Sequence, residues 1–186
     1  VAVFHARHPP LYSRYFDRKL LLPLQRTSRE WATAVLHAAL SADCDAVLPV
    51  DFVDVATLAK QRELFERAGV ALLAPPSESV ELAADKGRLP ELLSDVARVP
   101  KQAIFDGRIE PLDLAPPLVV KGLGDASNPS YHLTLETALE EAKKRGRCLI
   151  QEYVPGVGRG YYTVAYEGVP LLEFTHERLV ERDPSG

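Results

Sequence analysis

A lysine at the end of an apolar run is the first residue of this sequence whose position suggests chemistry. Lys121 ends the run "PLVVK", and residues 122–128, "GLGDASN", follow it as a loop rich in small residues. A cation at a strand end, next to backbone N–H groups that point outward, is an arrangement that binds phosphate. The alternative is a lysine that extends its ammonium into solvent beside a surface loop. The loop lacks the Gly-Lys-Ser/Thr ending of a Walker P-loop, so the pattern does not predict that kind of site.

The hexapeptide "QEYVPG", residues 151–156, ends a second apolar run and suggests a different kind of contact. Backbone C=O and N–H groups that no neighbouring strand uses can bind the edge of an adenine ring. Gln151 can add a side-chain contact, and a turn at Pro155 and Gly156 would leave this stretch of backbone accessible. The alternative is an ordinary edge strand that closes in a turn.

The other polar residues indicate no further catalytic or metal site. Asp85 and Lys86 are adjacent in a region with a helical pattern, where by themselves they predict an ion pair in solvent. The sequence has no Gly-x-Ser-x-Gly motif. No two histidines have the spacing of a zinc site on a helix; the histidines are His5, His8, His37, His132 and His176.

The composition excludes several classes of protein. Hydrophobic residues make up 46% and charged residues 26% of the chain, as is usual for globular proteins. A formal net charge of -4 gives no general attraction to nucleic acid. No apolar run reaches the ~20 residues of a membrane span, and no signal-peptide pattern begins the sequence, so we expect a cytoplasmic protein. Cys44 and Cys148 are predicted to be reduced, packed thiols.

The first half of the sequence alternates between strands and helices. Short apolar runs predict strands, and apolar residues at helical spacing predict helices that begin at Ser or Thr and end at Gly. This alternation is typical of βαβ units with a parallel sheet. The predicted strands are residues 1–6, 45–50 and 70–75, and the predicted helices are residues 29–42 and 52–69. No Gly-x-Gly-x-x-Gly fingerprint follows any of these strands.

The second half predicts a small α+β domain over an antiparallel sheet. A helical region begins near residue 77, and Pro90 starts a new helical segment within it. An amphipathic helix over residues 133–147 is acidic at its start and basic at its end, as the helix dipole favours. Strands flank that helix, at residues 117–121 and 148–154, and two more strands joined at "YEGVP" follow.

The order of these pieces resembles the ATP-grasp superfamily, especially its carboxylate–amine ligase and carbamoyl-phosphate-synthase-like branch. The pieces are "AVLPVD", "AADKGRLPELL", "PLVVKGLGDASN" and the run from "LIQEYVPG" to "THERLVERDPSG". The resemblance implies a Rossmann-like preceding domain at 1–76, and a linker with the first ATP-grasp helical segment at 77–116. Residues 117–186 would form the lid subdomain and the start of a catalytic subdomain that is expected to continue beyond Gly186.

The resemblance also implies which residues bind ATP. Lys86 would reach the phosphates and Lys121 the α-phosphate side, while residues 122–128 would form a lid over them. Two residues of the "THERL" run are candidates to face the triphosphate or the substrate, His176 and Arg178. The lid residues assigned to the nucleotide are Gly122, Gly124 and Ser127, and the adenine hinge is assigned to Gln151, Glu152, Tyr153 and Val154.

The activity implied is ATP-dependent activation of a small carboxylate as an acyl phosphate, which a nitrogen nucleophile then attacks. The cofactors would be ATP and Mg²⁺, and the family's magnesium ligands are expected beyond Gly186. The sequence departs from the family near residues 158–160, where relatives place an acid on the ribose and no acid stands here. The alternatives are a non-catalytic nucleotide-binding module, one part of a split enzyme, or an α/β protein for another small ligand. Neither nucleic acid nor membrane is expected as a partner, and a homo-oligomer is left open.

Overall fold

The computed structural model describes residues 1–6, 9–108, 113–124 and 128–179, with the backbone alone at residues 9 and 10. The chain divides into two compact units, Val1–Ala84 and Asp85–Gly186. Both units mix helices and strands, as predicted. Within the described ranges, no helix is both long enough and apolar enough to cross a membrane.

The first unit contains short parallel strands and the helices between them. Strand β1 pairs with β2, and β3 pairs with β4, each pair being parallel. A 3-10 helix covers Pro9–Tyr12. The strands are β1 (Ala2–Phe4), β2 (Lys19–Leu21), β3 (Ala46–Val47) and β4 (Ala71–Leu72), and the helices are α1 (Arg29–Ser41), α2 (Phe52–Ala59), α3 (Arg62–Arg67) and α4 (Ser77–Ala84).

Local sequence signals explain where these helices begin and end. The sequence offers Thr27 or Ser28 as the cap of α1; the Ser28 hydroxyl accepts a hydrogen bond from the Trp31 N–H at 3.1 Å and is the cap. The helix predicted over residues 52–69 is interrupted, because Gln61 has a non-helical backbone between α2 and α3. Gly69, with φ of +72°, follows α3 in the left-handed conformation that ends a helix. The core of the unit is formed around Trp31 and Phe65.

The second unit is built on a four-stranded sheet with the order β5-β8-β6-β7, in which every pair is antiparallel. A hairpin of two further strands, β9 and β10, forms a separate sheet. The predicted strand, helix, strand and hairpin are present in that order, but β5 and β7 of the sheet were not predicted. The elements are α5 (Leu89–Leu93), β5 (Gln102–Phe105), β6 (Leu118–Lys121), β7 (Ser130–His132), α6 (Leu135–Arg145), β8 (Cys148–Glu152), β9 (Arg159–Tyr166) and β10 (Val169–Glu177).

The two faces of the four-stranded sheet have different roles. One face packs against α6 and forms the core of the unit, in which Ile150 and Ala138 are fully buried. Cys148 lies in this core as a free thiol, and its burial raises its pKa. Side chains alternate along a strand, so the residues between the core positions face the opposite side. We call that side the lysine face; its members include Gln102, Val119, Lys121, Tyr131, Leu149 and Gln151.

Candidate functional site

Lys121 is the last residue of β6 and lies on the lysine face, as its position in the sequence suggests. Its Nζ donates a hydrogen bond to Oε1 of Gln151 on the neighbouring strand β8, at 2.8 Å. The side chain is partly buried, and this burial lowers the pKa of Lys121. The positive charge of Lys86, whose ammonium bonds to the loop that follows Lys121, lowers the same pKa further.

Lys86 lies in a turn between α4 and α5, and the predicted helical setting is wrong at this point. Its Nζ donates to the backbone C=O of Gly124, in the loop that follows β6, at 2.6 Å. The neighbouring Asp85 carboxylate accepts from the N–H groups of Gly87 and Arg88, at 3.0 and 3.1 Å. Asp85 therefore shapes the turn that presents Lys86 to the loop.

A pair of glutamines connects the two lysines. The Gln151 amide accepts from Lys121 and donates through Nε2 to Oε1 of Gln102, at 2.8 Å. Gln102 in turn donates through its own Nε2 to the backbone C=O of Lys86, at 2.8 Å. Sequence reasoning assigned a role to Gln151 and missed Gln102. The alternating pattern of β5 predicts that Gln102 lies on one face of a sheet, but it does not predict which residue of a neighbouring strand pairs with it.

The backbone at the end of β8 is less available than predicted. Strand β8 lies between β5 and β6 and is not an edge strand. The N–H of Glu152 donates to Lys101 O at 2.9 Å, and the N–H of Tyr153 donates to Pro117 O at 2.8 Å. The prediction of unpaired amides is therefore wrong at these two residues. Within the described ranges, no hydrogen bond uses the N–H or C=O of Val154. Val154 is therefore the first residue of the predicted hinge whose backbone groups can bind a ligand.

The side chains at the strand end also have defined contacts. The Glu152 carboxylate accepts from the N–H of Ala115 at 2.8 Å and so fixes the segment that enters β6. The ring of Tyr153 packs edge-on against Tyr131 of β7, with 5.8 Å between ring centroids. Tyr153 is 41% exposed and Tyr131 is 51% exposed. Both rings are therefore partly accessible to a ligand.

The remaining predicted residues are distributed over the loop and the hairpin. Gly122 and Gly124 follow β6 directly, and Ser127 lies outside the described residues. His176 belongs to β10, where its ring packs over Gly160 and lies 5.0 Å from the ring of Tyr162. The backbone N–H of Arg178 donates to Gly158 O at 2.7 Å, at the base of the hairpin. The described polar and ring contacts of His176 and Arg178 are thus with residues of the hairpin and its base.

The described donors suit a polyphosphate better than a metal ion. Two ammonium groups lie at a glycine-containing loop and provide positive charge and N–H donors for phosphate oxygens. Among the described residues, no group of three or more His, Cys, Asp or Glu side chains is placed to hold a metal. The described part of the chain therefore does not by itself fit the magnesium that the resemblance implies.

Comparison with known proteins gives matches at the level of structure alone. No protein-family model matches the sequence, and no curated protein matches it significantly. The D-alanine–D-alanine ligase of Bacillus anthracis, complexed with ATP, superimposes with a TM-score of 0.61 and 12% identity. That match covers 98% of this chain and 70% of the ligase chain.

Two biotin carboxylases are also similar in structure. The domain from Hydrogenobacter thermophilus 2-oxoglutarate carboxylase, complexed with MgADP, ADP and bicarbonate, has a TM-score of 0.50 and 19% identity over 77% of this chain. The Campylobacter jejuni biotin carboxylase, in a β,γ-ATP complex, has a TM-score of 0.51 and 18% identity over 80% of this chain. This chain spans only 36% and 38% of those two chains. The ligase and the carboxylases are ATP-grasp enzymes, and the chain described here has the fold of that group.

Proposed function

We propose that the second unit binds ATP on its lysine face. The observation that carries this proposal is that both lysines lie at the same glycine-containing loop: Lys86 Nζ donates to the C=O of Gly124, and Lys121 directly precedes the loop. Two like charges repel, and an anion that lies between or beside them would relieve that repulsion. The phosphate tail of a nucleotide has the charge and the length to contact both ammonium groups.

The other contacts in this proposal follow the positions of the residues. The backbone of Val154 would bind the edge of the adenine, and the exposed rings of Tyr153 and Tyr131 would lie against it. Gly122 and Gly124 would cover the phosphates from the loop, and the resemblance assigns Ser127, outside the described residues, to the same role. Gln151 would act on Lys121 and not on adenine, because both ends of its amide already have partners.

We further propose that the complete protein activates a small carboxylate as an acyl phosphate for attack by a nitrogen nucleophile. The similar structures include a D-alanine–D-alanine ligase and biotin carboxylases, which supports an ATP-dependent ligase. The described residues would contribute positioning and neutralisation of phosphate charge. In this proposal His176 and Arg178 face the triphosphate or the substrate, and a Rossmann-like first domain over 1–76 contributes to substrate choice.

A thermal-shift series with ATP, ADP, GTP and NAD, each with and without Mg²⁺, tests the binding proposal. ATP at about 100 times its dissociation constant should stabilise the folded chain by about 2.7 kcal/mol, because only the folded state binds it. We expect ATP and ADP to raise the melting temperature and NAD to leave it unchanged. Equal shifts with NAD, or no shift with any nucleotide at millimolar concentration, would contradict the proposal. Binding without phosphate release in the presence of carboxylates would instead favour a non-catalytic module.

The pH dependence of ATP binding should report the state of Lys121. Burial and the charge of Lys86 lower the pKa of Lys121, and phosphate binds the protonated form more tightly. ATP affinity should therefore fall as pH rises through that lowered pKa, before an ordinary lysine loses its proton. Calorimetric titration from about pH 7 to about pH 10 measures the effect. The Lys121→Met variant is the control, and the same pH slope in that variant would show that another group is responsible.

A further inference from the structure

Three hydrogen bonds in series join the backbone of Lys86 to the ammonium of Lys121. They pass through Gln102 and Gln151, which are directly opposite each other on β5 and β8. Lys121 lies opposite Leu149, so its contact with Gln151 is a diagonal one across β6 and β8. Each of the three bonds is 2.8 Å long, a normal length for such contacts. We call this series the amide relay.

The two ends of the amide relay fix its direction. A backbone carbonyl only accepts hydrogen bonds, and an ammonium only donates them. The Lys86 carbonyl therefore selects the NH₂ group of Gln102, which leaves the Gln102 oxygen to accept from Gln151. Gln151 then has its own oxygen left for Lys121. If either amide turned over, two donors or two acceptors would face each other, so the ends specify both side-chain orientations.

We propose that Gln102 is a positioning residue of the nucleotide site, which orients Gln151 so that its oxygen holds the Lys121 ammonium in place. The position of that ammonium then depends on the backbone at Lys86, and a shift of the Lys86 turn releases it. This inference rests on the proposed binding of ATP by Lys86 and Lys121. Gln102 itself touches no part of the nucleotide in this arrangement and acts through Gln151.

A neutral partner suits a lysine that must bind phosphate. A carboxylate at the position of the Gln151 oxygen would cancel the ammonium charge, whereas an amide oxygen orients the ammonium and leaves its charge available. A hydrogen bond to the charged form also favours that form, which opposes the lowering of the Lys121 pKa by burial. Loss of the relay should therefore have two effects, a lower pKa of Lys121 and a less well placed ammonium.

The test uses Gln102→Met and Gln151→Met, which keep the length of the side chain and remove the amide. Each substitution adds one labelled methionine methyl resonance to the spectrum of the unmodified protein, because residues 1–186 contain no methionine, and this resonance reports folding at the substituted position. The pKa of Lys121 is measured without nucleotide by NMR of ¹³C-labelled lysine, and the Lys121 resonance is assigned with Lys121→Arg. ATP affinity is measured by calorimetry.

Gln61→Met in the first unit is the control, because the Gln61 side chain caps no helix. Gln102→Asn, one methylene shorter, replaces Gln102→Met if that variant does not fold.

We expect Gln102→Met to lower the pKa of Lys121 and to weaken ATP binding roughly tenfold. Gln151→Met should do the same, and the double variant should be no worse than Gln151→Met alone, since Gln102 acts through Gln151. An unchanged Lys121 pKa in Gln102→Met, or additive effects in the double variant, would overturn the proposal. If the pKa falls as expected but the unmodified protein binds no ATP, the amide relay stands and the proposed function fails.

Discussion

Replacement of Lys121 by methionine is expected to weaken ATP binding roughly 10- to 100-fold, since charge-assisted hydrogen bonds contribute about 1.5–3 kcal/mol. The ammonium lies at a partly buried strand end, where water screens its charge less than at an exposed position. Methionine keeps most of the aliphatic stem, so the loss of affinity should reflect the missing charge. Calorimetry with ATP measures the change directly.

The matched control for this prediction is Lys143→Met. Lys143 is exposed near the end of α6, which packs on the opposite face of the same sheet. This variant removes the same charge from the same unit, and we expect ATP affinity to change by less than about twofold, as screening makes distant exposed charges weak. Similar losses in both variants would mean that the overall charge, and not the site on the lysine face, determines binding.

Strands β6 and β8, helix α6 and the hairpin of the second unit follow from local signals in the sequence, whereas β5 and β7 were not predicted. The apolar run of β6 ends at Lys121, and the helical pattern of α6 has a threonine cap at Thr134 and a glycine, Gly146, at its end. The hairpin turns at Gly168, whose φ of +79° favours glycine. Signals of this kind act over a few residues, so a single sequence predicts them. The position of Lys121 on a sheet, next to a glycine-containing loop, follows from the same signals.

The contacts that hold the site do not follow from local signals. Gln102 and Gln151 are 49 residues apart, and their pairing depends on the strand order β5-β8-β6-β7. No pattern within either strand specifies that order. The same strand order places β8 inside the sheet, which is why the amides of Glu152 and Tyr153 are used and the predicted free hinge begins only at Val154. Long-range pairing therefore decides which backbone groups remain for a ligand.

The first unit shows a different reason for failure. The segment before α1 forms the strand β2, Lys19–Leu21, which was not predicted because its apolar residues lie among prolines and charged residues without a clear period. Strands β3 and β4 are only two residues long, so most of each predicted apolar run lies outside a ladder. Here the apolar pattern identifies the order of elements but not their extent, because tertiary packing determines where a ladder ends.

Replacement of Ile150 by alanine is expected to lower the free energy of unfolding by roughly 2–5 kcal/mol, as is typical when a large core side chain is truncated. Ile150 is fully buried between the sheet and α6, where it packs with Val120 and Ala138. Its removal leaves a cavity under the strand that carries Gln151. Hydrogen exchange of the β6 and β8 amides, together with urea denaturation followed by circular dichroism, measures the loss.

Ile104→Ala is the matched control, because it makes the same chemical change on the same sheet at a side chain that is 42% exposed. We expect Ile104→Ala to lower the free energy of unfolding by about 1 kcal/mol or less, since only the buried part of the side-chain surface contributes.

ATP should restore much of the stability of Ile150→Ala, because ligand at about 100 times its dissociation constant adds about 2.7 kcal/mol to a folded state that binds it. The increment that ATP gives should be similar for the unmodified protein and for Ile150→Ala when each is measured at the same saturation. If Ile150→Ala still folds but ATP no longer stabilises it, the packing under β8 determines ATP binding itself and not only the stability of the fold.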